Sequence, residues 1–408
     1  METVQSPVEQ PQVIANQPQE PSAQTQTQAQ SANQAEAQQP APEQTMTFKA
    51  SDNLASWLKE FNVSLVFSSY QTGRIFFVGR DKPAGIHLMQ RNFVRCMGMA
   101  MGENIIYLSS LCQIWKFVNC LLPTEAFRDY DKLYVPQVSY STGDIDIHDM
   151  AIDHAGDLVF INTLFSCLCV LRENYSFEVI WKPPFISRIA PEDRCHLNGL
   201  AMQDKRPKYV TMFSQTNTYE GWRAFKEKSG MVMDIQTNEI ICRGLSMPHS
   251  PRLYKGNLWL LNSGTGYLGY VDLKQGNFVE VAFCPGYARG LDFVGDYAIV
   301  GLSHLRDNNF MAVQSLRDNL QKHDMPITTG ILIIDTRDGK PAHWFEVGGA
   351  IQETYDVYAL PDTVKPMVLG IMDNALRRAI VTPLPGEKTA GELMILDHLR
   401  EQERPDSL

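Results

Sequence analysis

The chain has 408 residues, a formal net charge of −10 and 44% hydrophobic residues. No segment approaches the run of about 18 apolar residues that a membrane span needs, and no basic cluster offers the footprint of a nucleic-acid binder. These features exclude membrane and nucleic acid as expected partners and point to a cytoplasmic protein.

Residues 1–45 contain thirteen Gln and five Glu, with no aromatic residue and no Lys or Arg. Such a stretch cannot bury enough apolar surface to offset its ordering entropy, so a disordered Gln/Pro/Ala-rich tail is expected. It has neither the basic and apolar regions of a secretory signal nor the Arg-rich pattern of a transit peptide. Eight cysteines are scattered without a CxxC pair. In the absence of a secretion signal they read as reduced thiols. Cys167 and Cys169, in "FSCLCVL", read as small buried hydrophobes on one strand face.

After the tail, "DNLASWLKEFN" (52–62) predicts one short helix. Almost everything beyond it predicts short strands, among them "SLVFSSY", "RIFFVG", "NIIYLSS", "DLVFINT", "NLWLLNS", "YAIVGLS" and "GILIIDT". They are rich in β-branched and aromatic residues and bounded by Gly, Asn, Asp or Pro. A repeat narrows the all-β choices. A small or polar residue, a short strand, a turn and a second apolar strand recur six times, anchored at Gly98, Asp149, Gly199, Ser250, Gly290 and Asp356. The spacings are 51, 50, 51, 40 and 66, the last enlarged by a partly helical insertion at 305–326. A period near 50 with about four strands per repeat is that of a β-propeller blade. Six anchors predict six blades, with residues 64–93 completing the last blade beside C-terminal strands from Tyr355. "PMVLGI" (366–371) competes with "SLVFSS" (64–69) for that place, so seven blades stay open. The expected domains are a tail at 1–45, a propeller at 46–390 and a polar C-terminal tail at 391–408.

The innermost strand of each blade lines the channel, so the residue before each anchor belongs near the axis on one face. These residues are His148, Asn198, His249, Arg289 and Tyr355, with Met97 as the apolar exception. Strand ends return to the same face with Ser109, Asn162, Thr163, Ser214, Asn262, Ser263, Ser303 and His304. In "LSMPHSPRLYKGNLWLLNSGTG" (245–266), Pro248 and Pro251 would stiffen the entry to an inner strand. They would hold His249, Ser250 and Arg252 toward the axis. Blade packing does not demand imidazole or guanidinium there, so a titratable pocket at the channel mouth is expected. His148 or His249 would move protons, with Asp149 or Asp356 orienting them. Arg289 would hold a carboxylate or phosphate, and Tyr355 completes the catalytic set. Asn198, Ser250, Arg252, Asn262, Ser263 and Ser303 would bind a small polar or anionic ligand. The donors of His148, His249, Asn198, Asp149, Asp356 and Glu353 also suit one divalent metal ion, and that alternative stays open. "GTGYLG" (264–269) matches a dinucleotide fingerprint, but a hairpin follows it where a helix is needed, so no nucleotide cofactor is expected.

"PEDRCHLNGLA" (191–201), "LSMPHSPRLYKGNLWLLNSG" (245–264) and "PGYARGLDFVGDYAIVGLS" (285–303) resemble a family of uncharacterised bacterial proteins, over roughly residues 55–385. That resemblance implies a propeller and carries no activity. "HLNGLA" (196–201) is more distantly similar to the gluconolactonase and senescence-marker-protein propellers. There the matching Asn, Asn198 here, helps bind a divalent metal, and Asp356 would supply a late-blade ligand. No early acidic ligand has a counterpart, because Cys96-Met97 stands in its place. Two functions from different classes remain. One is a small-molecule enzyme, a metal-assisted hydrolase or isomerase. The other is a non-catalytic propeller that binds a small ligand or a protein partner.

Overall fold

The computed structural model describes residues 45–81, 85–304, 313–382 and 392–395. The 1–44 part of the expected tail therefore lies outside the described residues. Six sheets, each built on four antiparallel strands, form a six-bladed propeller. Blade 1 joins the C-terminal strand Val357–Pro361 to Val63–Ser69, Arg74–Asp81 and Gly85–Asn92. Blade 2 contains Met99–Gly102, Ile105–Ser110, Gln113–Asn119 and Lys132–Ser141. Blade 3 contains Ile147–Ile152, Leu158–Asn162, Cys167–Arg172 and Tyr175–Trp181. Blade 4 contains Leu197–Gln203, Arg206–Met212, Gly230–Asp234 and Ile240–Leu245. Blade 5 contains Pro248–Tyr254, Asn257–Asn262, Tyr267–Asp272 and Asn277–Phe283. Blade 6 contains Tyr287–Val294, Tyr297–Ser303, Gly330–Asp335 and Lys340–Gly348, edged by Thr47–Ala50.

The choice between six and seven blades is settled by pairing. Leu65 and Val66 lie opposite Ala359 and Tyr358, so the N-terminal strands complete blade 1 around the last inner strand. Pro366–Val368 instead runs parallel to Lys132, Leu133 and Tyr134 at the outer edge of blade 2. It straps the closing blade to its neighbour and builds no seventh blade. Beyond it, Ala379–Thr382 pairs with Glu392–Ile395, across the expected boundary at 390.

Strand alternation supplies the core. Successive residues of a strand face opposite sides of the sheet. Leu258 and Leu260 therefore pack toward blade 4, while Trp259 and Leu261 pack toward blade 6. Each of the six blade interfaces has its own apolar cluster among the described residues. The helix Leu54–Glu60 buries Leu54, Trp57 and Leu58 at the interface between blades 6 and 1. All eight cysteines are free thiols, and seven are buried. Cys167 and Cys169 lie side by side with Sγ atoms 3.5 Å apart. "GTGYLG" forms the turn and second strand of a blade 5 hairpin, with Gly266 at φ +80°. Among the described residues, no helix is long and apolar enough to cross a membrane.

The repeated polar residues lock neighbouring blades together. The strand-end hydroxyl of one blade donates to a carbonyl at the start of the next inner strand. Ser68 donates to Met97 O at 2.5 Å, Thr163 to Leu197 O at 2.6 Å and Ser263 to Ala288 O at 2.6 Å. Ser109 donates to Ile147 O and Ser303 to Thr354 O in the same way. The anchors alternate in kind around the ring. Asp149, Ser250 and Asp356 each accept a backbone N–H from the following blade, at Leu200, Gly290 and Met99. The anchors between them are glycines, where the following blade comes too close for a side chain. A Cβ on Gly98 would lie 2.7 Å from His148 O, and one on Gly290 would lie 2.6 Å from Val357 N.

Candidate functional site

Seven side chains form a closed circle at one end of the channel. His148 meets His196 at 4.9 Å between ring centroids, and His196 meets Phe213 at 4.3 Å. Phe213 meets His249 at 5.3 Å, and His249 meets Tyr287 at 5.7 Å. Arg289 lies over Tyr287 at 4.9 Å and over Tyr355 at 5.0 Å, and Tyr355 returns to His148 at 5.8 Å. Five blades contribute. At blade 2 the corresponding position holds buried Met97.

Local backbone geometry orients the imidazoles. Asp146, His196 and Met247, each two residues before a pre-anchor position, are left-handed at φ 52°, 50° and 50°. That turn places the Asp146 carbonyl 2.9 Å from His148 Nδ1, and the Met247 carbonyl 2.9 Å from His249 Nδ1. Thr163 and Ser263 also touch these nitrogens, at 2.8 and 3.0 Å. Both hydroxyls already give their protons to the next blade. Each Nδ1 is therefore the N–H donor, and each Nε2 keeps its lone pair. Burial, first, and then the neighbouring histidines and Arg289 hold both imidazoles well below their ordinary pKa. They are neutral at physiological pH.

His196 is held differently. Its Nδ1 lies 2.8 Å from Asp193 Oδ2, which also accepts the Trp222 indole N–H at 2.7 Å. Trp222 stacks obliquely on His196 at 4.2 Å. Burial pushes the Tyr287 hydroxyl up to about 12 and Tyr355 well above its usual value, so both stay protonated donors. Arg289 Nη1 lies 3.5 Å from Glu353 Oε1. Arg289 Nε, Tyr355 Oη and His249 Nε2 are buried and have no hydrogen-bond partner among the described residues. The described part of the insertion packs at this end of the channel, with Val313 and Leu316 against Phe213, Trp222, Met247 and Tyr287. Leu316 belongs to the helix Gln314–Lys322; residues 305–312 lie outside the described residues.

The other sequence-derived candidates stand elsewhere. Asn198 lies in an inner-strand bulge, with Oδ1 accepting the Thr211 hydroxyl at 2.7 Å. Asn262 caps Ser246 N at 2.7 Å, and Ser303 ties down Thr354. Ser263 touches the site only through His249 Nδ1. Arg252 is a plug one layer below. It grips Asp149 with both terminal nitrogens, at 2.8 and 3.2 Å, and reaches Leu200 O, Leu291 O and the Tyr358 hydroxyl. Asp149, Ser250, Arg252 and Asp356 therefore join blades and do not belong to the circle. Both oxygens of Asp356 accept backbone N–H groups, from Met99 and Val357. Asn198 and Asp356 thus do not fit a shared metal ion, and no described group of three His, Cys, Asp or Glu is arranged to hold one. Sequence reasoning missed His196, Asp193, Phe213, Trp222 and Tyr287. His196 sits in the quoted "CHLNGLA", but two residues ahead of the repeat position.

Among solved structures, one chain of a nidogen/laminin complex is similar at TM-score 0.44 and 10% identity, over 74% of this chain and 99% of that one. A protein of unknown function from Bacteroides caccae is similar at TM-score 0.44 and 11% identity, over 73% and 98%. A streptogramin B lyase is similar at TM-score 0.37 and 12% identity, over 64% and 78%. A comparison with curated protein sequences finds no match. Residues 52–369, which span all six blades, match one family throughout, and the chain belongs to the family described as domain of unknown function DUF4915.

Proposed function

We propose that the circle is the active site of a small-molecule enzyme that works by proton transfer, a hydrolase or isomerase acting on a small polar substrate. One observation carries this reading. His249 is a neutral imidazole whose Nδ1–H is pinned by Met247 O, and whose Nε2 lone pair is buried without a partner. A buried acceptor left unmatched costs about 1–3 kcal/mol, and such a group is what a general base requires. Ser263 and the left-handed Met247 fix its tautomer, and Arg289 and Tyr355 stand ready to hold charge that develops on a substrate. His196, paired with the Asp193 carboxylate, would return a proton from another arc of the circle. No step needs a metal.

A second reading is non-catalytic ligand binding. The absence of a Ser, Thr or Cys side chain from the seven members of the circle favours it. Nitrogen NMR of the full chain labelled at histidine tests the first reading. His249 is expected to stay neutral, with the proton on Nδ1, at and below pH 6.5, where an ordinary histidine takes up its proton. A positively charged ring at pH 7 would remove it as the base. Hydrolase and isomerase screens of wild type and His249→Asn then separate the two readings. Asn keeps a donor near Nδ1 and deletes the Nε2 end. Turnover that falls by about 10²–10⁴-fold in the variant, with unchanged melting temperature, supports catalysis. Saturable ligand binding without turnover would establish the second reading.

A further inference from the structure

We infer that the helix Gln314–Lys322 is a lid over the His249 arc of the circle, seated on the glycine turn 264–266 of blade 5, and that it lifts to admit the substrate. This rests on the reading of the circle as a small-molecule site and adds how that site is reached. Exposure is divided around the circle. His148, His196 and Arg289 keep partial exposure, whereas His249 and Tyr287 are buried. The insertion packs on the buried arc. Val313 and Leu316 lie in one apolar cluster with Phe213 and Tyr287, the two ring neighbours of His249, and with Met247, whose carbonyl pins its Nδ1. One layer below, Arg252 fills the axis. Nε2 of His249 is itself buried, so a substrate reaches it only when a neighbour moves.

How each neighbour is held decides which one moves. His249 and Tyr287 stand in paired strands. Of the nine described residues of the helix, Leu316 alone is buried. None of its polar ties is fully buried. Asn319 Nδ2 donates to Thr265 O at 2.8 Å, Ser315 Oγ donates to Glu227 Oε2 at 3.5 Å, and the Tyr267 hydroxyl meets His323 Nε2 at 2.9 Å. Water replaces such bonds at little net cost. Elements with few buried apolar contacts open locally, and lids are drawn from them. The seat is built for this helix. A Cβ on Gly266, left-handed at φ +80°, would lie 2.6 Å from Leu316 Cδ1, so the turn makes room for that side chain by having none of its own. "GTGYLG" thus has a task unrelated to nucleotides. A hinge follows the helix. Residues 323–326 are exposed and Asp324 is left-handed at φ 49°, until Thr328 N and Oγ1 fasten the chain to Pro285 O at 2.8 and 3.2 Å.

Diethyl pyrocarbonate acylates a neutral imidazole at its free lone pair. Labelling of His249 in the full chain, resolved by peptide mass spectrometry, therefore counts openings of its cover. Alkylation of Cys167 by iodoacetamide counts unfolding, because that thiol is buried between blades 2 and 3. Corrected for the intrinsic reactivity of each group, His249 is expected to react at least about a hundredfold more often than Cys167, since a lid opens without the fold. Leu316→Ala is expected to raise His249 labelling about thirtyfold, the low end of the effect of truncating a buried leucine. A disulfide between Thr265→Cys and Asn319→Cys, in a Cys112→Ser background, should bring the His249 rate down to that of Cys167, and its reduction should restore it. Labelling of His249 no more frequent than that of Cys167, or unchanged by either Leu316→Ala or the closed disulfide, would overturn the lid. The wild-type comparison stands without any variant. Failure of the catalytic reading is distinguishable. Lid-dependent labelling without turnover of any substrate removes the enzyme and keeps the lid. Turnover that depends on His249 and persists with the disulfide closed removes the lid alone.

Discussion

Replacing Arg252 with Met is expected to remove about 3–5 kcal/mol of folding stability, the cost of breaking a buried ion pair from one side. Few single residues in a fold touch so many elements. From blade 5 the guanidinium binds Asp149 of blade 3, Leu200 O of blade 4, Leu291 O of blade 6 and the Tyr358 hydroxyl of blade 1. Tyr358 passes the contact to Met99 O, so blade 2 is reached through one intermediary. Burial opposes the charge on Arg252, but Asp149, then Tyr358 and Asp356, hold its pKa well above the ordinary value. Methionine would fill much of the space and leave two carboxyl groups on the axis without their cation. A loss of this size is a large share of the 5–15 kcal/mol that stabilises most domains. Urea unfolding should show a lower midpoint with unchanged slope. Adding Asp149→Asn to Arg252→Met should recover part of the loss, because it removes the stranded charge. A loss under about 1 kcal/mol for the single variant would mean that the plug is solvated and the blades close without it.

The propeller was legible because its evidence is periodic. Alternating apolar residues in short strands, with an anchor about every fifty residues, specify blades whatever the details of each. Six anchors match the six blades, but which segment closes the ring was not legible. "SLVFSS" and "PMVLGI" are both buried apolar strands, and only the register of Leu65 against Ala359 assigns the closing place. The site was half legible, for a physical reason. Two kinds of polar residue recur at the repeat period, those facing the channel mouth and those facing the next blade. Sequence spacing cannot separate them. Asp149, Ser250, Asp356 and Ser303 recur because each blade must give its neighbour a hydrogen bond. His148, His249, Arg289 and Tyr355 recur because one residue earlier the inner strand faces the mouth. Adjacent residues thus divide between assembly and site. The alternation of Gly98, Gly199 and Gly290 with side-chain anchors was a readable sign that the anchor row is structural. His196 escaped because the bulge at Asn198 turns that side chain into the blade and hands its place to the left-handed residue two positions before it.

Acidification through pH 6.5 is expected to destabilise the fold through the same histidines that form the site. His148 and His249 are neutral in the folded protein, with pKa values well below 6.5, while an unfolded histidine titrates near that value. Their folded pKa is depressed, so the unfolded chain binds more protons wherever the pH lies below 6.5. The stability they confer is fully present above that pH and is lost progressively below it. The slope is about 1.4 kcal/mol per pH unit for each histidine. Asp356 acts in the opposite sense. Burial, first, and then Asp149 push its carboxyl up to about 8, so the folded chain holds a proton there that the unfolded chain has lost above about pH 4. Its contribution falls as the pH rises from about 4 to 8. Other groups titrate across this range, so the informative measurement is a difference between proteins. Urea midpoints of wild type and His249→Asn, taken from pH 4.5 to 8, should run parallel above pH 6.5. Below it the gap should change by about 1.4 kcal/mol per unit, in favour of the variant. Asp356→Asn should leave that acid limb intact and flatten the decline toward pH 8. A constant gap between wild type and His249→Asn would show that the imidazole titrates at the same pH folded and unfolded, so that burial does not hold it neutral below pH 6.5. The proposal that His249 acts as a buried neutral base would then lose its support, because it rests on the same neutrality that makes the fold acid-sensitive.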